Sequence, residues 1–278
     1  MTDRYAVIGN PIDHTKSPLI HGLFAETTQQ AMSYVAIEGP LVPEDGFECV
    51  VREFADEGGK GMNVTAPFKL KAFALADVRS ERATLAGAVN ALKFERGRIV
   101  AENFDGIGLL RDIETNLGVP LAGRRVLMLG AGGAARGALL PFIGARPAEL
   151  VIANRDVSKG EALVAQAGSR GGALQACGYG DLDRMGRFDI VVNATSASLT
   201  GDLPPVPPSV FSPDGTAYEL AYGKGLTPFL RLARNVGVHG VADGVGMLVE
   251  QAAEAFAWWR GVRPPTSAVI DRLAVPLD

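Results

Sequence analysis

The sequence predicts an α/β protein of two domains, each built on its own sheet. The chain has 278 residues, more than one hydrophobic core normally serves. Short apolar runs typical of strands alternate with segments of helical periodicity along most of its length. A glycine-rich turn at residues 130–135 follows a strand pattern and opens a second series of such elements. We therefore expect an open, mostly parallel sheet in the first domain, a doubly wound sheet in the second, and a cleft between them.

The first domain is predicted as a β-α-β-α-β series that ends in a hairpin. Its strands are short apolar runs bounded by turn residues, and its helices carry apolar residues at helical spacing. The expected strands are 5–8, 34–37 and 61–65, and the expected helices are 18–30, 43–57 and 67–76. Residues 89–94 and 99–102 flank Glu95-Arg96-Gly97-Arg98 and predict an antiparallel pair at the mixed edge of the sheet.

The second domain is predicted from a further run of alternating elements. A helix is expected at 106–117, and strands at 125–129, 149–153, 189–193, 216–220 and 238–242. A long apolar helix at 244–259 comes late in the chain, and we expect it to return to the first domain. The predicted boundaries are therefore 1–105 plus 243–278 for one domain and 106–242 for the other.

Composition narrows the classes of function. Hydrophobic residues make up 47% of the chain and charged residues 21%, which are globular values. A net charge of −4 argues against nucleic acid or an anionic membrane surface as a partner. Cys49 and Cys177 are far apart, and His14, His21 and His239 lack metal-ligand spacing, so we expect neither a disulfide framework nor a metal. With no signal-like or membrane-spanning run, we expect a cytoplasmic protein.

The glycine-rich turn predicts a dinucleotide site. The run from Gly130 to Ala135 matches G-x-G-x-x-A, follows a strand and opens a helix. Gly130 permits the tight turn, Gly132 lets the backbone approach a pyrophosphate, and Ala135 allows close helix–strand packing. Backbone N–H groups at the helix N-terminus would bind the phosphates. The pattern favours a Rossmann-like domain over an ordinary strand–turn–helix with small residues.

The end of the next strand bears on the choice of nicotinamide. A carboxylate at this position would bond the ribose 2′-hydroxyl of NAD. The chain instead runs through Asn154 to Arg155, with Lys159 following, and these two cations suit the 2′-phosphate of NADP. Asp156 adds a negative charge that could lower this preference. The alternative is a solvated helix start with no role in binding.

Two charged residues at predicted strand ends suggest an acid/base pair acting on a hydroxyl or carbonyl. Lys69 lies in the first turn of the helix that begins near Pro67, and Asp105 follows the strand that ends at Glu102. A desolvated cleft would favour the neutral amine, whereas Asp105 would favour the ammonium ion. Which of the two residues transfers the proton stays open.

Three other polar residues could line the cleft. Thr15 and Ser17 place two hydroxyls near a helix start, an arrangement that can bind a small carboxylate. The simpler alternative is that Ser17 only caps the helix. Asn90 follows small residues into a strand, where its amide could face a ligand or be structural.

Together these runs resemble the shikimate dehydrogenase family along essentially the whole chain. The matching runs are Gly9-Asn10-Pro11 with Lys16-Ser17-Pro18, Asn63-Val64-Thr65 with Pro67-Phe68-Lys69, Ala86 to Asn90, Asp105-Gly106, Gly130 to Gly137, Asn154-Arg155, Asn193-Ala194-Thr195-Ser196, Thr227-Pro228-Phe229, and Ala242-Asp243-Gly244 with Gly246-Met247-Leu248. The resemblance implies reversible NADP-dependent reduction of 3-dehydroshikimate to shikimate, the fourth step towards chorismate and the aromatic amino acids.

The resemblance also implies roles for individual residues. It implies a catalytic pair, Lys69 and Asp105. It implies that the substrate carboxylate is bound by Thr15, Ser17 and Tyr222, and the ring hydroxyls by Thr65, Asn90 and Gln251. It implies cofactor contacts from Gly130, Ala131, Gly132, Gly133, Ala134, Asn154, Arg155, Lys159, Thr195, Gly244 and Met247.

Four positions depart from the commonest family pattern and keep alternatives open. Thr15 replaces serine, Phe104 replaces threonine, Glu219 replaces aspartate and Lys159 replaces arginine. The first two could alter the affinity for shikimate relative to that for the bulkier quinate. Together with Asp156 they leave a first alternative, a quinate/shikimate dehydrogenase of broader substrate and cofactor specificity. The second is a non-catalytic NADP-binding regulator, which would be expected to lack Lys69 or Asp105. We expect a small-molecule substrate and a monomer or homodimer.

Overall fold

The computed structural model describes residues 2–277, apart from the side chains at 169, 171 and 199. By its internal contacts the chain divides into two compact units. Unit 1 consists of Met1–Asp105 and Val249–Val269, and unit 2 of Gly106–Leu248 and Ile270–Asp278. The domain boundaries expected from the sequence, 1–105 plus 243–278 and 106–242, stay a prediction.

Unit 1 contains a mixed sheet of six strands in the order β2-β1-β3-β5-β6-β4. Its strands are β1 (Asp3–Gly9), β2 (Met32–Glu38), β3 (Gly61–Val64), β4 (Val78–Arg79), β5 (Ala91–Glu95) and β6 (Arg98–Glu102). Its first four helices are α1 (Ser17–Thr27), α2 (Gly46–Asp56), α3 (Lys69–Leu75) and α4 (Glu81–Ala86). The α/β class and the hairpin predicted from the sequence are both present.

The direction of each strand decides which loops share an edge of this sheet. β1 pairs in parallel with β2 and β3, and β4 pairs in parallel with β6. β5 is antiparallel to both β3 and β6. The start of β5 therefore lies at the same edge as the ends of β1, β3 and β6. Residues from four separate parts of the sequence meet there.

The core of unit 1 lies between the sheet and its helices. The rings of Phe47 on α2 and Phe68 before α3 stack with centroids 4.9 Å apart. Both side chains are almost completely buried, as are Val51 on α2 and Met62 on β3. Burial of a side chain of this size stabilises a fold by about 1.5–3 kcal/mol. This packing fixes α3, and with it Lys69, against the sheet.

Unit 2 contains a six-stranded sheet that is parallel throughout, in the order β12-β11-β10-β7-β8-β9. Its strands are β7 (Arg125–Leu129), β8 (Glu149–Ala153), β9 (Leu174–Cys177), β10 (Phe188–Asn193), β11 (Phe211–Glu219) and β12 (Gly240–Ala242). Its helices are α5 (Asp105–Arg111), α6 (Gly133–Gly144), α7 (Val157–Ala167), α8 (Ala197–Thr200) and α9 (Pro228–Asn235). The last helices of the chain are α10 (Val245–Arg260) and α11 (Ser267–Leu273).

The order of strands in unit 2 is that of a doubly wound, Rossmann-like sheet. From β7 the strands follow one another outwards on one side to β9, and from β10 they follow one another outwards on the other side to β12. The order therefore reverses between the neighbouring strands β7 and β10. Ligands of such sheets bind in the crevice outside the carboxyl ends of the two strands at this switch point. The loops after β7 and β10 therefore mark the candidate cofactor site, and the predicted Rossmann-like fold is confirmed.

The structure differs from the sequence prediction in several elements. The helix expected at 106–117 is an α-helix only to Arg111 and continues as a π-helical turn over Asp112–Asn116. The two-residue strand β4, helices α4 and α11, and strand β9 were not predicted. β9 pairs with β8 through Leu174–Cys177, a stretch too short to show a clear apolar pattern. Among the described residues, no helix combines the length and apolar character needed to cross a bilayer.

Candidate functional site

The predicted lysine–aspartate pair forms at the common edge of the unit 1 sheet. Lys69 is the first residue of α3, the helix that follows β3, and Asp105 comes three residues after the end of β6. Lys69 Nζ donates a hydrogen bond to Asp105 Oδ2 at 2.6 Å. The two side chains are 33% and 17% exposed, so the pair is sheltered but open to a ligand. The two sequence segments thus bring one cation and one anion into direct contact.

Asn90 and Gln251 extend this pair into a network. Asn90 Nδ2 donates to Asp105 Oδ1 at 2.8 Å and to Gln251 Oε1 at 3.2 Å. The backbone N–H of Phe104 donates to Asn90 Oδ1 at 2.8 Å, which fixes the orientation of the amide. Asp105 therefore accepts hydrogen bonds on both of its carboxylate oxygens, which fixes the orientation of its side chain.

The segment before Asp105 is held by residues that the sequence analysis did not single out. Asn103 Oδ1 accepts from the backbone N–H of Asp105 at 3.1 Å, and Asn103 Nδ2 donates to the carbonyl of Ala88 at 3.0 Å. The buried Glu102 carboxylate accepts from the N–H of Asn103 and from Arg82 Nη2, each at 2.7 Å. The run Glu-Asn-Phe-Asp could have indicated such a turn, because asparagine side chains readily bond nearby backbone.

Phe104 contributes to this site through its backbone. Its side chain is only 3% exposed. Its ring packs edge-on against Trp258 with centroids 5.7 Å apart, and the Arg82 guanidinium lies 5.7 Å from its centroid. The expectation that Phe104 alters ring recognition therefore has no support from its side-chain contacts, which lie within the packing of unit 1.

The two predicted hydroxyls lie together after β1. Thr15 Oγ1 donates to Ser17 Oγ at 3.3 Å and accepts from the Ser17 backbone N–H at 3.3 Å. Ser17 is the first residue of α1 but makes no capping hydrogen bond, since the cap position is Lys16. The capping alternative for Ser17 is therefore not what the structure shows. Thr65 lies directly after β3, and its methyl group leaves no room for a side chain at Gly9.

A buried cluster behind these hydroxyls was missed by the sequence analysis. The amide of Asn63 on β3 accepts from the Tyr34 hydroxyl at 2.7 Å and contacts His21 Nε2 at 3.1 Å. His21 is completely buried and stacks on Tyr34 with centroids 4.1 Å apart. Burial lowers the pKa of His21 to about 3, although its hydrogen bond to Asn63 opposes this shift. A lone histidine on a helix offers no sequence signal of such a cluster.

The loop after β7 in unit 2 contains the glycines that were predicted to bind phosphate. Gly130 has a φ of +103°, which a residue with a side chain rarely adopts. Its N–H donates to the carbonyl of Ala153 at 2.7 Å, and the N–H of Ala131 donates to Asn154 Oδ1 at 3.2 Å. Around the Cβ positions of Gly132 and Gly133, no described atom lies within 4 Å. The N-terminus of α6, where Ala134 lies in the first turn, is therefore open to phosphate.

The end of β8 carries the charged residues predicted to select the cofactor. Arg155 and Lys159 are both exposed and line a cavity of about 720 Å³ together with Asn154 and Thr195. Asp156 is the N-cap of α7, and its Oδ1 accepts from the N–H of Ser158 at 3.2 Å and from its hydroxyl at 2.6 Å. The carboxylate of Asp156 is thus engaged by a helix N-terminus, which also stabilises negative charge.

Across the switch point, the loop after β10 is shaped by a buried polar cluster. Asn193 Oδ1 accepts from the Thr195 hydroxyl at 2.7 Å and from its N–H at 3.1 Å. Asn193 Nδ2 donates to the fully buried Glu219 at 2.8 Å, and Ser198 and Thr227 also donate to this carboxylate. Burial raises the pKa of Glu219, and these hydrogen bonds oppose the shift.

The remaining predicted positions lie beyond β11 and β12. Gly244 has no space for a Cβ because the carbonyl of Leu220 occupies that position. The N–H of Met247 donates to the Tyr218 hydroxyl at 3.3 Å, and this hydroxyl donates to Asp112 Oδ2 at 2.6 Å. Tyr222 is 40% exposed in unit 2. The π-helical turn thus holds the start of α10, a link that sequence alone did not reveal.

Comparison with known proteins assigns a family to this arrangement. Residues 7–92 match the shikimate dehydrogenase substrate binding domain, 113–200 match shikimate / quinate 5-dehydrogenase, and 244–274 match the shikimate 5'-dehydrogenase C-terminal domain. A shikimate dehydrogenase (NADP(+)) of Aromatoleum aromaticum is 55% identical, and the match covers 99% of this chain and 98% of the relative.

Two solved structures extend the comparison. An Ael1 enzyme from Pseudomonas putida is 68% identical over the whole of both chains, with a TM-score of 0.95. A shikimate 5-dehydrogenase from Thermus thermophilus, in complex with NADP(H) and shikimate, is 32% identical over 97% of this chain and 98% of its own, with a TM-score of 0.84. Because these matches run through both units at such identities, the chain belongs to the shikimate dehydrogenase family.

Proposed function

We propose that this chain is an NADP-dependent oxidoreductase that reversibly reduces 3-dehydroshikimate to shikimate, in the biosynthesis of chorismate and the aromatic amino acids. The observation that carries the proposal is the contact of 2.6 Å between Lys69 and Asp105, with Asn90 bonded to the second carboxylate oxygen. A non-catalytic regulator would be expected to lack Lys69 or Asp105, and both residues are present. The alternative of a silent NADP-binding regulator therefore has no observation in its favour.

The residues of unit 2 fit NADP. The open space at Gly132 and Gly133 accommodates a pyrophosphate, and the N-terminus of α6 supplies donors to it. Arg155 and Lys159 supply positive charge to a 2′-phosphate. The repulsion between Asp156 and this phosphate is reduced, because the Asp156 carboxylate accepts hydrogen bonds at the N-terminus of α7. When bound, the nicotinamide supplies or accepts the hydride. Gly244 and Met247 are the proposed neighbours of its ring.

The residues of unit 1 handle the substrate and its proton. The proposed carboxylate ligands are Thr15 and Ser17, joined by Tyr222, and the proposed ligands of the ring hydroxyls are Thr65, Asn90 and Gln251. Lys69 carries the proton that moves to the carbonyl oxygen during reduction and returns from the hydroxyl during oxidation. Asp105 accepts a hydrogen bond from Lys69 on one oxygen and from Asn90 on the other, and so holds the lysine side chain in position. A positioned acid/base of this kind typically contributes about 10²–10⁴-fold to the rate.

Initial rates test the proposal directly. The absorbance of the reduced nicotinamide is followed for shikimate and for quinate, each with NADP and with NAD. We expect turnover with shikimate and NADP at a kcat/KM at least about a hundredfold above that with shikimate and NAD, since charged contacts to a phosphate are worth about 1.5–3 kcal/mol each. We also expect a higher kcat/KM with shikimate than with quinate. An absence of turnover with shikimate and NADP would refute the proposal.

Two observations favour a second candidate, a quinate/shikimate dehydrogenase of broader specificity. Thr15 adds a methyl group beside Ser17, where the commoner serine has none. The central family match also names both shikimate and quinate. Comparable rates with quinate would support this candidate, and Thr15→Ser should then change the ratio of the rates with quinate and shikimate. Retention of the quinate rate in Thr15→Ser would argue against this residue as the cause.

The setting of the enzyme is also a proposal. The composition supports a cytoplasmic location, and the small-molecule reaction needs no macromolecular partner. We propose a monomer or homodimer, which sedimentation of the purified chain would distinguish.

A further inference from the structure

Tyr34 lies behind the two hydroxyls of the substrate site. It belongs to β2, and helix α1 packs against this strand. Ser17 and His21 lie one turn apart on the same face of α1, where His21 stacks on the Tyr34 ring at an interplanar angle of 7°. The Ser17 hydroxyl is therefore on the side of α1 that faces Tyr34, close enough to the phenol to lower its pKa, against the larger effect of burial. Tyr34 has no role in the proposed function so far.

The hydrogen bonds of Asn63 define which way these donors point. Asn63 Nδ2 donates to the carbonyl of Asn90 at 3.1 Å, so its Oδ1 is the acceptor end of the amide. Both the Tyr34 hydroxyl and His21 Nε2–H must therefore donate to this oxygen. Burial holds the pKa of Tyr34 well above its ordinary value and that of His21 well below, so both stay neutral donors near pH 7.

In this arrangement the hydroxyl hydrogens run inward. Thr15 donates to Ser17, and Tyr34 donates to Asn63, so the Ser17 hydrogen can point towards the Tyr34 oxygen. A carboxylate ligand requires the hydrogen of Ser17 to turn outward, because a carboxylate only accepts. The Ser17 oxygen then presents a lone pair to Tyr34, whose hydroxyl can rotate to donate to it. Asn63 Oδ1 keeps its bond from His21, so no buried acceptor loses its last partner.

We propose that Tyr34 is a positioning residue for the substrate carboxylate, and that its hydroxyl transfers its hydrogen bond from Asn63 to Ser17 when the carboxylate binds. His21 makes this transfer inexpensive because it keeps Asn63 paired. The inference rests on the proposed function, since it takes the substrate carboxylate as the ligand of Ser17.

The variant Tyr34→Phe tests the proposal with the loss of a single oxygen atom. The ring still stacks on His21, and Asn63 still has the His21 donor, so the fold is retained. We expect the KM for shikimate to rise about fivefold, with kcat within about twofold of wild type and no change in the KM for NADP. The matched control is Tyr5→Phe on β1, whose ring stacks on Trp259 and whose hydroxyl contacts Arg260. It should leave all three constants unchanged.

A double-mutant cycle separates positioning from general packing. In a Ser17→Ala background, Tyr34→Phe should not raise the KM further, because the hydroxyl it acts through is gone. The same fivefold rise in KM in both backgrounds would overturn the inference. It would also be overturned if the single variant Tyr34→Phe had the same KM for shikimate as an active wild-type enzyme. A wild-type enzyme that neither binds nor turns over shikimate would instead overturn the proposed function, and this inference with it.

Discussion

The buried histidine predicts a specific dependence of stability on pH. His21 has a pKa of about 3 in the folded chain, against 6.5 as its ordinary value. The pKa of this histidine is lower in the folded chain than in the unfolded chain, so its neutral form makes its full contribution to stability above pH 6.5. That contribution is lost as the pH falls below 6.5 towards 3. Between pH 7 and pH 5 the unfolded chain gains most of one proton that the folded chain does not. Because this proton binds only to the unfolded chain, the free energy of unfolding falls by about 2 kcal/mol between pH 7 and pH 5.

The substitution His21→Gln isolates this effect. Glutamine retains an N–H donor for Asn63 but does not titrate. Between pH 7 and pH 5 the free energy of unfolding of the His21→Gln variant should therefore fall by about 2 kcal/mol less than that of wild type. The titration of carboxylates is common to both proteins and cancels in the difference. The matched control is His14→Gln, which replaces an exposed histidine in the same unit.

Urea unfolding followed by tryptophan fluorescence reports on the relevant unit. The chain has two tryptophans, Trp258 and Trp259, and both belong to unit 1. The Trp259 ring also lies 5.5 Å from that of His21. Equal pH dependence in wild type and His21→Gln would refute the reasoning, because the buried ring would then not be the group that takes up the proton.

Three further predictions concern unit 2. Arg155→Ala should raise the KM for NADP about tenfold or more and leave that for NAD unchanged, since a charged hydrogen bond is worth about 1.5–3 kcal/mol; equal losses with both cofactors in steady-state rates would contradict a 2′-phosphate contact. Gly132→Ala should change the melting temperature little, because no described atom crowds its Cβ, yet should weaken cofactor binding in calorimetry by about tenfold or more; unchanged binding would remove Gly132 from the phosphate site. Gly246→Ala should lower the free energy of unfolding in urea by more than about 2 kcal/mol, because the added Cβ would overlap the Asp112 carboxylate. The control Gly22→Ala on α1 should not be destabilised, since its Cβ has open space. Equal stability of the two variants would contradict this packing.

Sequence reasoning succeeded where the chemistry is local. The turn at Gly130 and the helix start at Lys69 each lie within a few residues of a strand end, so the local sequence defines their positions, while their roles stay predictions. Asp105 was found for the same reason. Parallel strands bring their carboxyl ends to one edge, which explains why these separate segments could be expected to meet.

The parts that could not be predicted depend on contacts between distant residues. His21, Tyr34 and Asn63 lie on α1, β2 and β3, and their hydrogen bonds exist only once the strands are in register. The π-helical turn at Asp112 is likewise coupled to Tyr218, 106 positions later. Phe104 was expected only to be able to alter the affinity for substrate, and this stays a prediction. The packing of its ring against Trp258 could not be read from the local sequence.

The central claim, that Lys69 transfers a proton in the reduction of 3-dehydroshikimate, is tested most directly by comparing wild type, Lys69→Ala and Lys71→Ala. Lys71 lies on the same helix and donates instead to the carbonyl of Glu44 at 2.7 Å. With NADPH and 3-dehydroshikimate, wild type and Lys71→Ala should form one shikimate for each NADPH consumed. Lys69→Ala should lose about 10²–10⁴-fold in kcat while its KM for NADPH stays unchanged. A kcat near that of wild type in Lys69→Ala would contradict the account.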